Sequence, residues 1–161
     1  MNLFLDSVSN INTLILFNND RKILKKYEFD IKLNESSKLI IEIDDFLKSN
    51  KLGYFDIKNI LVVSWPWWFT WVRIVILIVN TISYITKCNI TPISYFDLFD
   101  SFPIIKLSSK RDVFFKELKN REIQIIPNEE ILNRLKNQKI IYWDVNFDFL
   151  KNYNIISKPN Y

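Results

Sequence analysis

An α/β fold, with a parallel sheet at its centre and a smaller mixed lobe after it, follows from three features of this sequence. Short apolar runs of strand length alternate with segments of helical periodicity through the first hundred residues. One run, Ile60-Leu61-Val62-Val63, is apolar without alternation, as a strand buried on both faces is. After Pro103 the texture shifts to closely spaced strands joined by polar turns. The composition permits such a core: of 161 residues 48% are hydrophobic and 25% charged, which suits one ordinary domain or two small lobes and not a disordered chain.

Leu3, Leu5 and Val8 roughly alternate with Asp6, Ser7 and Ser9, and predict the first strand. Residues 14–17 and 23–29 follow as the second and third, divided by the turn cluster Asn18-Asn19-Asp20. Together they make an antiparallel meander. Asn34-Glu35-Ser36-Ser37 offers N-cap side chains, and Leu39, Ile43, Phe46 and Leu47 then recur at helical spacing up to Ser49-Asn50. Residues 69–87 are rich in β-branched side chains, yet Arg73, Asn80, Tyr84 and Lys87 fall seven, four and three apart, on one helical stripe. The segment therefore reads as a helix, mostly buried, with Thr70 as its N-cap. Residues 89–94 read as a strand and 95–100 as a short helical turn.

In the second lobe residues 104–107, 112–118 and 121–126 read as strands, the last two joined as a hairpin at Lys119-Asn120. Asn128 is placed to cap a helix running to Asn137, with Glu129 and Glu130 in the first turn, where the helix dipole favours them. Residues 139–142 read as a last strand. The boundary between lobes is expected near 100–103, giving domains 1–101 and 102–161. The order βββαβαβ followed by a reduced mixed α+β lobe resembles the RNase H-like half of an actin-like, sugar-kinase-type fold.

Several chemistries are excluded at once. Histidine is absent and cysteine occurs once, at Cys88, which removes disulfides, Cys/His zinc sites and every mechanism needing an imidazole. The first twenty residues have neither a basic n-region nor a continuous apolar run, so the sequence reads as cytoplasmic. A membrane span is disfavoured as well. Residues 60–86 hold one charge, but Arg73 is central, Pro66 interrupts the run, and the uncharged stretches of 13 residues on either side fall short of the roughly 20 that a crossing needs. The formal net charge of +4 is spread along the chain, which makes a weak case for nucleic acid.

Two counts stand out. Alanine is absent and glycine occurs once, at Gly53, while tryptophan occurs five times. Four of the five lie within Ser64-Trp65-Pro66-Trp67-Trp68-Phe69-Thr70-Trp71-Val72-Arg73-Ile74, between a buried strand and a helix. A tight turn has no room for four side chains that each bury roughly 150–250 Å². With glycine in place of each tryptophan, the segment resembles the Gly-Pro-Gly-Ser-Phe-Thr-Gly-(Leu/Val)-Arg-(Ile/Val) signature of the TsaB (YeaZ) family, also called Gcp-like. Leu3-Phe4-Leu5-Asp6-Ser7 is similar to that family's opening strand, and Tyr142-Trp143-Asp144 to its late Gly-Asp-Gly. The resemblance spans roughly residues 2–145, strongly at 65–73. Val75 departs from it where the family usually has glycine, and the sequence ends short of the helical segment that closes the family's second lobe. The joint pattern suggests that some or all of Trp65, Trp67, Trp68, Trp71 and Trp143 correspond to UGA codons, in a lineage that reads UGA as glycine; four of them stand at family glycines, and Trp68 at the serine position.

The resemblance implies a non-catalytic subunit that supports the TsaD transferase, the enzyme that makes N6-threonylcarbamoyladenosine in tRNA. It implies no catalytic residue, metal or cofactor in this chain. A TsaD-type transferase is the expected partner, with a TsaE-type ATPase and a second copy of the chain as further ones, and tRNA is met only through the complex. Leu39, Ile40, Ile43, Phe46 and Leu47 on the first helix, with Ile76, Asn80 and Tyr84 on the second, are the expected interface. Asp6 and Ser7 stand where a nucleotide-binding relative faces phosphate. In this chain Asp6 is expected to hydrogen-bond a turn, Arg73 to be structural, and the motif turn to pack strand against helix. Two alternatives carry different chemistry: a stand-alone actin-like nucleotide-binding domain, and a module whose exposed tryptophans stack on nucleic-acid bases or meet a membrane.

Overall fold

The computed structural model describes residues 1–9, 11–31, 37–66, 69–100, 102–108, 111–127 and 129–131. Trp67, Trp68, Trp143, the strand expected at 139–142 and most of the helix expected at 128–137 lie outside them. Among the described residues the chain forms two compact units, Met1–Tyr95 and residues 96–131.

The first unit is built on a five-stranded mixed sheet of order β3-β2-β1-β4-β5. Its strands are β1 (Asn2–Asp6), β2 (Asn12–Phe17), β3 (Ile23–Phe29), β4 (Asn59–Trp65) and β5 (Asn89–Ser94). The meander β1-β2-β3 is antiparallel, whereas β1–β4 and β4–β5 are parallel. Parallel neighbours need crossovers, and the helices α1 (Ser37–Ser49) and α2 (Phe69–Thr86) lie within them. Leu3, Leu5, Leu14, Leu16, Ile60 and Val62 share one core with Leu39, Ile43, Phe46 and Leu47 of α1 and Trp71, Val75, Val79 and Ile82 of α2. Phe4, Ile15, Leu61 and Val63, which alternate with these along the strands, are buried too. Burial of both faces explains the unbroken apolar runs. This is the α/β, RNase H-like arrangement that the element order predicted.

The near absence of glycine leaves a trace in the backbone. Arg21, Lys51 and Lys87 occupy the left-handed region, at φ of 64°, 57° and 61°, while Gly53 does not. Each of the three sits where glycine is usual. Arg21 closes the β2–β3 turn, its N–H donating to the Asn18 carbonyl at 3.0 Å. Lys51 ends α1 in a Schellman motif, with its N–H on the Lys48 carbonyl and the Leu52 N–H on that of Leu47, both 2.9 Å. Lys87 ends α2 with one bond, N–H to the Ser83 carbonyl at 2.7 Å.

At the opposite edge of the sheet from the strand carboxyl ends, three in-register asparagines form a ladder. The Asn59 amide donates to Asn2 Oδ1 at 2.7 Å, Asn89 donates to Asn59 Oδ1 at 3.1 Å, and Asn2 donates onward to Asn19 at 3.3 Å. Asn2 and Asn59 are buried, so the ladder satisfies amides that water cannot reach.

The second unit carries the antiparallel sheet β6 (Ile104–Leu107), β7 (Asp112–Lys116) and β8 (Gln124–Pro127). Val113, Phe115, Ile126 and Ile131 form its small core. Residues 129–131 are helical.

Candidate functional site

In an open sheet with parallel strands, ligands are met outside the strand carboxyl ends, where adjacent connections diverge. Here that edge is made by the end of β1 at Asp6, the end of β4 at Trp65, the end of β5 at Ser94, and the start of α2. The Asp6 side chain is turned onto its own loop. Its Oδ1 accepts the Val8 and Ser9 N–H groups at 2.9 and 3.0 Å, and its Oδ2 accepts the Ser9 hydroxyl. A carboxylate that caps three donors in this way fixes the chain reversal after β1. Trp71, in the first turn of α2, is 4% exposed and donates its indole Nε1–H to the Ser7 carbonyl at 2.8 Å. The Ser7 hydroxyl is buried with no hydrogen-bond partner among the described residues. Tyr95, directly after β5, is buried as well. Desolvation, with the negative charge of Asp6 as a second cause, pushes its phenol above the ordinary range.

These positions correct several expectations. Of the four tryptophans that a tight turn was expected not to hold together, Trp71 lies in the apolar core with its N–H on the Ser7 carbonyl, while Trp67 and Trp68 lie outside the described residues. Trp65 fits because it stands at a register shift at the end of β4 and keeps 45% of its surface exposed. Pro66, joined to Trp65 by a cis peptide bond, is buried. Thr70 is not the N-cap, since Phe69 already belongs to α2. Nor is α2 mostly buried. Trp71, Val75, Val79 and Ile82 face the core, whereas Arg73, Leu77, Asn80, Thr81, Tyr84 and Ile85 are exposed.

The expected interface is split by the fold. Leu39, Ile43, Phe46 and Leu47 are core residues, with Ile43 at 0% exposure, so they cannot meet a partner. Ile76 is partly buried against the same core. Ile40, Asn80 and Tyr84 do reach the surface. The periodicity reading missed Leu77, 67% exposed, which lies beside Tyr84 at 78% on the outward stripe of α2. The signal was present: Leu77 is four residues after Arg73 and three before Asn80.

Two solved structures share this architecture. YeaZ from Pseudomonas aeruginosa superposes with a TM-score of 0.61 at 15% identity, over 80% of this chain and 66% of that one. A second Pseudomonas aeruginosa protein, described as uncharacterized with similarity to peptidase YeaZ, superposes with a TM-score of 0.65 at 15% identity, over 89% of this chain and 71% of that one. The chain has the YeaZ fold. It spans about two thirds of the length of these two proteins. No family model matches the sequence, and no curated protein matches it. The likeness to YeaZ thus lies in the path of the backbone. Among the described residues no helix is long and apolar enough to cross a membrane, and no group of three or more His, Cys, Asp or Glu side chains is placed to hold a metal ion.

Proposed function

We propose that this chain is a TsaB (YeaZ) family member that acts as a non-catalytic scaffold for a TsaD-type transferase in the synthesis of N6-threonylcarbamoyladenosine on tRNA. The observation that carries the reading is the outward stripe of α2. Leu77, Tyr84 and Ile85 are large, apolar and exposed, on a fold shared with YeaZ. A helix presents such a stripe to a partner at a desolvation cost far below that of a charged face. Ile40 and Ile41 of α1 expose further apolar surface. Adenosine modification, metal and ATP chemistry belong to the TsaD-type transferase and a TsaE-type ATPase, and tRNA is contacted through the assembled complex. The absence of histidine and the burial of Cys88 agree with a supporting role.

The test is co-purification with the TsaD-type transferase of the same genome. The wild-type chain should co-elute with it. The double variant Leu77→Asp/Tyr84→Glu should be folded by circular dichroism and elute alone, because both changes lie on exposed positions. Retained co-elution of that variant would remove the α2 face from the proposal. If the variant instead loses self-association while still binding the transferase, the stripe serves a second copy of the chain.

A further inference from the structure

The sheet of the first unit has two edges, and they differ. β5 carries Pro92 within it, opposite Val62, and proline has no N–H to offer a further strand. β3 forms the other edge with seven residues and no proline. Its outer N–H and C=O groups meet no strand among the described residues. Six of its seven residues are exposed, with Ile23, Leu24 and Tyr27 at 40%, 41% and 38%. An open edge of this kind is a template for another strand.

Edge lysines ordinarily repel such a strand, so the order of charges decides what can pair. Lys26 and Glu28 stand opposite Ile15 and Thr13 of β2 and share one face of the sheet, where their side chains form an ion pair at 2.6 Å. Tyr27 between them points to the other face. Its hydroxyl donates to Glu42 of α1 at 2.8 Å, and its ring stacks on Phe46 at 5.8 Å. Two identical strands paired antiparallel about a two-fold axis set one residue against its own copy. Centred on Lys25, Lys26 or Glu28, the pairing opposes like charges. Centred on Tyr27, it puts Lys26 of each copy opposite Glu28 of the other. Ile41, next to the Glu42 that holds Tyr27, is 55% exposed and adds apolar surface beside this edge.

We propose that two copies of this chain join edge to edge through β3, antiparallel and centred on Tyr27, so that their five-stranded sheets become one. The occupant follows from the charge pattern, since a second copy brings the matching Glu28 and Lys26 by symmetry. The contact lies on β3 and not on the outward stripe of α2, so it stands whether or not α2 docks a transferase.

The experiment is sedimentation equilibrium of the whole chain carrying Leu77→Asp/Tyr84→Glu, which removes the α2 stripe from the reading. This chain should still dimerise at high micromolar concentration. Adding Lys26→Glu alone, or Glu28→Lys alone, turns two opposite-charge pairs into two like-charge pairs and should weaken the dimer roughly tenfold or more. Both changes lie on exposed positions, and circular dichroism should show both chains folded. An equimolar mixture of the two chains should dimerise again, because each changed side chain then meets an opposite charge across the edge. A monomer in the Leu77→Asp/Tyr84→Glu chain would overturn the proposal, whether the edge stays open or takes a strand from another protein. So would single variants that dimerise unchanged, or a mixture no better associated than its parts.

Discussion

Replacing Lys51 by glycine tests whether the backbone bears the cost of a nearly glycine-free sequence. Lys51 holds the left-handed position after α1, φ 57°, between the two hydrogen bonds of a Schellman motif. An L-residue costs roughly 1–2 kcal/mol in that conformation. Glycine avoids that cost but gives the unfolded chain more freedom, which opposes the gain by about 0.4–1 kcal/mol. The balance favours Lys51→Gly by about 0.5–1 kcal/mol. The Lys51 side chain is exposed, so no packing is lost. Lys87 has the same backbone geometry with one offset: its ammonium lies 4.6 Å from the centre of the Tyr84 ring, a contact worth about 0.5–1 kcal/mol at an exposed site. Lys87→Gly should therefore come out near neutral.

Urea unfolding separates these outcomes, since the midpoint should rise for Lys51→Gly at unchanged slope. The matching rise in melting temperature is roughly 1–4 °C for a chain of this size. Lys51→Ala keeps the Cβ in the left-handed region and should gain nothing. If Lys51→Gly is no more stable than Lys51→Ala, the strain argument is wrong. A larger gain at Lys87 than at Lys51 would also refute it, because the ring contact would then carry no weight.

Three further outcomes follow from the packing. Asn59→Ala should destabilise by about 1–3 kcal/mol in urea, since it strands the Asn2 oxygen and the Asn89 amide of the ladder. Tyr95 is held neutral by burial and by Asp6, with its pKa raised from the ordinary 10. Its contribution is full below pH 10 and is lost progressively as the pH climbs from there through the raised native value, so Tyr95→Phe should flatten the alkaline limb of a stability profile. Ile43→Asp should fail to fold, because it puts a carboxylate into the α1 core at a cost of several kcal/mol, whereas Leu77→Asp should melt within about 1 kcal/mol of wild type.

The elements were legible where one physical signal dominated. Period-two and unbroken apolar runs located β1 to β5, and the polar stripe through Arg73, Asn80 and Tyr84 identified α2 despite its β-branched residues. The site was less legible, because apolar periodicity shows which residues share a face and not whether the sheet or the solvent meets it. Leu39 and Ile43 therefore looked like an interface while belonging to the core, and Leu77 was passed over. At position 71, where the resembling motif has glycine, the tryptophan ring lies in the core and its N–H meets the Ser7 carbonyl, a placement that spacing alone does not show. The asparagine ladder was invisible because Asn2, Asn59 and Asn89 are brought together only by parallel register across β1, β4 and β5.

The most direct test of the scaffold role is the nucleoside content of tRNA in cells depleted of this chain, read by mass spectrometry after hydrolysis. The account predicts that N6-threonylcarbamoyladenosine falls on depletion and is restored by the wild-type chain, but not by folded Leu77→Asp/Tyr84→Glu. An unchanged level of the modified nucleoside after depletion would contradict it.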